Sequence, residues 1–114
     1  MKHKVFFTAG YDDDIDSLSR ELRSDVLIQD SDGNFYNPLF ITIDRIKSEF
    51  ENDKFCYVDD NIVFLHQVTK DNILKSIEEL YKWQFDKRWR PINNEMLENF
   101  FYPKENWVIF ILDF

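Results

Sequence analysis

The chain has one cysteine, two glycines and three prolines among its 114 residues. With Cys56 alone, no intrachain disulfide can form. That fits a reducing compartment, since a secreted chain this short is more often stapled. Scarce glycine and proline exclude collagen-like and low-complexity sequence. Glycine-rich phosphate loops are excluded as well, because Gly10 and Gly33 stand isolated. Zinc centres need closely spaced Cys and His, and His3, Cys56 and His66 make no such spacing. Long apolar runs are missing too. Trp107 to Leu112 falls far below membrane-spanning length, and Val5 to Ala9 is too short for a signal-peptide core. These absences predict a soluble cytoplasmic protein with neither metal nor cofactor.

Aromatic residues and acids are abundant instead. Twelve Phe, five Tyr and three Trp make up 18% of the chain. Each can bury roughly 150–250 Å², enough apolar surface for one domain spanning residues 1–114 to close its own core. The net charge of −8 is uneven. Residues 11–60 hold 14 acidic and 5 basic side chains, whereas the other 64 residues hold 8 and 9. An imbalance of that kind bears on partners and association rates rather than on fold.

Periodicity gives the elements. Val5 to Ala9 reads as a strand ended by Gly10. Ile15, Leu18 and Leu22 share one helical face, with a helix start near Asp13 or Asp14 where acids favour the positive end of the dipole. Val26 to Gln29 is a short strand, and Asp32-Gly33 signals a two-residue hairpin into Phe35 and Tyr36. Leu39 to Ile43 suits an extension of that strand, but Ile43, Ile46, Lys47 and Phe50 also keep helical spacing, with Thr42 placed to cap a helix of Ile43 to Glu51; the boundary between the two stays open. Phe55 to Val58 and Ile62 to Val68 flank a turn at Asp59-Asp60-Asn61. Thr69 then caps the clearest helix, whose apolar face is Ile73, Ile77, Leu80 and Tyr81. Met96, Leu97, Phe100 and Phe101 indicate a further short helix. The final WVIFILDF, nearly unbroken apolar sequence, predicts a central strand buried on both faces. The order predicts an α+β fold: a mostly antiparallel sheet with helices packed on it and a buried C-terminal strand.

Motifs for chemistry are weak. Asp30-Ser31-Asp32-Gly33-Asn34 resembles a calcium loop, but the glycine register would put Ile28 and Leu39 at ligand positions, so a hairpin turn is favoured. Cys56 and His66 fall in predicted strands, as a small buried hydrophobe and a structural histidine. As a pair they would activate a thiolate, yet no oxyanion-forming glycine loop accompanies them. Lys82 to Arg90 interleaves bases and aromatics as nucleic-acid surfaces do. The sequence pI of about 4.6 opposes that use. Bases gathered at a helix C-terminus, with Trp and Phe anchoring the next loop in the core, account for it better.

The acids cluster at turns and at a helix start: Asp12, Asp13 and Asp14, Asp30 with Asp32, and Asp59 with Asp60. Such positions cap and turn the chain, and they also project outward. Tyr11, Tyr36 and Tyr57 are the neighbouring aromatics suited to anchor a partner; Phe35, also nearby, is better suited to the core.

Small size, a single domain, no catalytic motif, Phe/Asn/Lys/Ile-rich composition and clustered acids together resemble bacterial immunity proteins. These are the cognate inhibitors of contact-dependent inhibition and other polymorphic toxins. The resemblance is one of general character over the whole chain; neither YNPLFIT at Tyr36 to Thr42 nor RWRP at Arg88 to Pro91 assigns a named family. It implies a non-enzymatic, tight one-to-one complex with a toxin domain in the cytoplasm. Many such toxins are basic nucleases, whose field an acidic surface matches. Two other readings stay open at this point: a phage-type inhibitor mimicking nucleic acid, and a small enzyme with a dispersed active site around Cys56 and His66.

Overall fold

Alternation along Lys2-His3-Lys4-Val5-Phe6-Phe7 builds the strand around which the molecule is organised. The computed structural model describes residues 2–8, 21–52, 56, 61–101 and 107–114. In it β1 (Lys2–Phe7) buries His3, Val5 and Phe7 on one face and exposes Lys2 and Lys4 on the other. Four antiparallel strands form the first sheet in the order β4-β3-β1-β7: β4 is Phe35–Tyr36, β3 is Val26–Gln29 and β7 is Val108–Asp113. A second sheet has the order β2-β5-β6, with β2 at Leu22–Arg23, β5 at Leu39–Thr42 and β6 at Ile62–Leu65. Here β5 and β6 run parallel, joined across α1 (Ile43–Glu51), because a parallel pair needs a crossover connection. The fold is α+β and mostly antiparallel.

One bent hairpin belongs to both sheets. Its first arm is β2 then β3, its second β4 then β5. Leu22 pairs with Ile41 and Arg23 with Phe40, whereas Ile28 pairs with Tyr36 and Gln29 with Phe35. Residues 24–27 therefore face residues 37–39, an excess of one, which is the signature of a bulge and bends the ribbon. Pro38, lacking a backbone donor, sits at this bend. The Asn37 Nδ2 group takes the place of ladder bonds, donating to the carbonyls of Ser24 and Val26 at 2.8 Å each.

The core lies between the first sheet and α2 (Lys70–Lys82), where Ile73 and Ile77 meet Val5, Phe7, Val26, Ile28 and Tyr36. At roughly 1.5–3 kcal/mol for each large apolar side chain removed from water, this cluster is the main source of stability. Beyond α2, Gln84 at φ +56° reverses the chain, and α3 (Phe85–Arg88) follows. Asn93 caps α4 (Asn94–Phe101), its Oδ1 accepting from the Met96 N–H at 2.8 Å. Leu97 and Phe101 of α4 cover Phe6 and Leu27 on the other face of the sheet, with Ile92, Phe35 and Trp107 beside them.

Four expectations need correction. Leu22, expected on a helical face with Ile15 and Leu18, lies instead in β2, where it pairs with Ile41. The segment WVIFILDF supplies β7, which among the described residues lies at one end of the first sheet rather than at its centre. Phe110, Leu112 and Phe114 pack inward, but Ile109 is 52% and Ile111 61% exposed. Unbroken apolar sequence implied burial on both faces, yet α4 reaches only the Phe6 end of the outer face. The turn after β3 is a three-residue loop, Ser31-Asp32-Gly33: Gly33 at φ +89° donates to the Asp30 carbonyl at 3.1 Å, and the Asp30 N–H donates to the Asn34 carbonyl at 3.0 Å. Finally, β6 stops at Leu65, so His66 is an exposed bend residue, and Cys56 is exposed and outside any strand.

Candidate binding surface

Where the bulge of the bent hairpin meets α4, a cleft of about 370 Å³ opens. Thr8, Ser24, Asp25 and Asn37 form its polar side, and Met96, Phe100 and Phe101 its apolar wall. The volume lies at the small end of the range of ligand pockets, roughly 300–1,000 Å³. Phe100 is 72% exposed at the rim, one turn from Met96.

Behind the polar side stands a buried ion pair. Arg23 has a side chain only 1% exposed, and its Nε and Nη2 donate to the two oxygens of Asp25 at 2.8 and 3.2 Å. The guanidinium also lies over the Phe7 ring, 4.9 Å from its centroid. Two-pronged bonding and a ring face offset the desolvation that a buried arginine would otherwise suffer. Thr8 fixes the far side of the cleft: its N–H and Oγ1 both donate to the Asp25 carbonyl, at 3.1 and 2.6 Å. In sequence, the aspartate run that starts at Asp12 follows Thr8 by four residues.

Chemically, the cleft sets the polar residues Thr8, Ser24, Asp25 and Asn37, one of them acidic, beside aromatic and thioether surface. That combination suits an organic cation with an apolar stem, such as a lysine or arginine side chain. Among the described residues, no group of three or more His, Cys, Asp or Glu side chains could hold a metal ion.

The residues expected at a partner surface fare differently. Tyr36 is buried in the core, and its hydroxyl donates to Asp30 Oδ2 at 3.2 Å. Asp30 is buried as well. Its Oδ1 accepts the N–H groups of Asp32 and Asn34, both at 2.9 Å, so the carboxylate holds the turn together. Tyr36 and Asp30 are thus corrected from surface anchors to internal supports, and of these three positions only Asp32 is exposed. Tyr11, Asp12, Asp13, Asp14, Tyr57, Asp59 and Asp60 lie outside the described residues, as does the expected helix start near Asp13.

Sequence reasoning missed the exposed apolar side chains. In the acidic half, α1 buries none of its residues: Ile43 is 67% exposed and Phe50 is also exposed, beside Asp44 and Glu51. Phe64 of β6 is exposed as well, on the face opposite Val63. The doublets Met96-Leu97 and Phe100-Phe101 carried a legible sign, because an apolar arc that wide exceeds what one packing face needs. In the basic-aromatic segment, Trp89 packs against the core as expected, whereas Trp83 projects into solvent.

No family model, curated protein or solved structure matches this chain.

Proposed function

We propose that this chain is a binding protein of the immunity type. In this reading it neutralises a basic toxin domain of the nuclease class in the cytoplasm, by covering it, and performs no chemistry of its own. The observation that carries the reading is the cleft at Asp25, where a partly exposed carboxylate meets the Met96–Phe100–Phe101 wall. A lysine or arginine of the partner would put its charge there and its stem against Met96 and Phe100. The balance of −9 over residues 11–60 supplies the long-range attraction that speeds encounter with a basic surface.

Affinity capture of the tagged full chain from its native host, read by mass spectrometry, identifies the partner. The captured protein is then assayed with equimolar chain. The expected result is a basic enzyme silenced at one-to-one stoichiometry, with Phe100→Ala raising the dissociation rate by about tenfold or more. A captured partner whose activity is unchanged by equimolar chain would overturn the proposal.

A further inference from the structure

The two edges of the first sheet are treated in opposite ways. At one end β4 has only two residues, is followed by Pro38, and has its Phe35 carbonyl taken by the Ile92 N–H at 2.8 Å. That edge is short and covered, as natural sheets arrange to prevent unwanted pairing. At the other end β7 runs six residues, Val108–Asp113, fully in register with β1 from Lys2↔Asp113 to Phe7↔Val108. It contains no proline, glycine or lysine. Among the described residues no strand lies on its outer side. Ile109 and Ile111 stand exposed on one face, opposite Phe6 and Lys4 of β1.

We infer that β7 is a self-pairing edge, and that two copies of this chain join there in antiparallel fashion to make one continuous eight-stranded sheet. The strand is self-complementary about Phe110. A two-fold axis normal to the sheet keeps opposed side chains on the same face. With the axis at Phe110, Ile109 faces the second copy's Ile111, Val108 faces the second copy's Leu112, and every pair from 108 to 112 is apolar. Asp113 is the only charge on the strand, and it falls outside the paired stretch. The two aspartates then lie about 20 Å apart at opposite ends, at roughly 3.4 Å per residue. Charge favours this margin as well. The chain carries −8 overall, yet the described surface beside β7 presents Lys2, Lys4 and Asp113, a balance that does not oppose the meeting of two copies. Other occupants fit less well. A basic strand would meet those two lysines, and an acidic one would leave Ile109 and Ile111 without apolar opposites. A single strand pair covers less than the roughly 1,200 Å² of a standard interface, so the dimer is reversible and concentration-dependent. This inference stands apart from the toxin-binding reading, which rests on the Asp25 cleft.

Sedimentation velocity of the full chain up to about 1 mM is expected to show a monomer–dimer equilibrium. Hydrogen exchange should show β7 amides gaining protection as concentration rises. Because both isoleucines are exposed, Ile109→Lys and Ile111→Asp should keep the fold, checked by circular dichroism, and each should weaken dimerisation by about tenfold or more. Mixing the two variants should restore association, since the introduced lysine faces the introduced aspartate across the axis. Phe64→Lys, on the second sheet, should change nothing. A chain that stays monomeric throughout overturns the inference. So does a dimer insensitive to both β7 variants, and mixed variants that fail to associate overturn the register.

Discussion

Two helices of this molecule share one local code and meet opposite fates. Both α1 and α2 open on a threonine whose Oγ1 accepts an N–H three residues on at 3.1 Å: Thr42 from Arg45, and Thr69 from Asn72. Both carry an aspartate in the first turn, Asp44 and Asp71, and both are amphipathic. Yet α2 buries Ile73 and Ile77 completely, whereas α1 buries nothing and holds Ile43 and Phe50 in solvent. Cap and periodicity specify that a helix forms. What the apolar stripe touches is decided by the neighbours. For α2 the neighbours are the four-stranded sheet and, from the second sheet, Phe40 and Val63. For α1 the constraint is the parallel pair β5–β6, which needs a crossover of this kind regardless of how deeply it packs.

That contrast is open to direct attack by chemical denaturation. The largest effect is expected in the core: Ile73→Ala or Ile77→Ala should each cost about 2–5 kcal/mol, while Ile43→Ala should stay within about 0.5 kcal/mol. An Ile43→Ala variant as unstable as Ile77→Ala would erase the difference between the helices. Next comes Asp30→Ala, which strands the Tyr36 hydroxyl and two turn N–H groups and should cost about 2–3 kcal/mol. The caps should then behave alike: Thr69→Ala and Thr42→Ala each lose about 1 kcal/mol. Hydrogen exchange should place the Thr42→Ala loss in α1 alone. The smallest effects belong to the exposed Cys56 and His66. Cys56→Ala and His66→Ala, singly or together, should leave both stability and partner neutralisation unchanged within error. A folded double variant that no longer neutralises its partner would restore the enzyme reading.

The caps and stripes of both helices were legible in the sequence, because each rests on contacts within four residues. The range Ile43 to Glu51 followed from Thr42 and the spacing of Ile43, Ile46 and Phe50, and it matches α1. The class of fold was legible too, from the order of short strands and helices. Burial was less so. Tyr36 reads as amphipathic, and in the fold its hydroxyl turns inward to the buried Asp30 carboxylate, six residues away. Likewise, WVIFILDF reads as two-sided core, but whether its outer face is covered depends on how far α4 extends over the sheet. The division into two sheets depends on a single extra residue between Arg23 and Ile28, matched by no signal in composition. The Asp25 cleft was invisible for a similar reason. Thr8, Asp25, Asn37 and Phe100 come from four separate segments, and only the folded chain brings them together.

The pairing of β1 with β7 has a consequence for how the molecule is made. Synthesis proceeds from the N-terminus, so β1 emerges before its partners, and the bent hairpin can give it β3 after a few dozen residues. Its second edge then waits for β7, whose residues come more than a hundred positions later. Until β7 is made, the nascent sheet carries an open margin beside His3, Val5 and Phe7. Those side chains must stay out of aggregation until Phe110, Leu112 and Phe114 arrive. Closing so long a loop is slow, which makes the docking of β7 onto β1 the step that commits this fold to its native state.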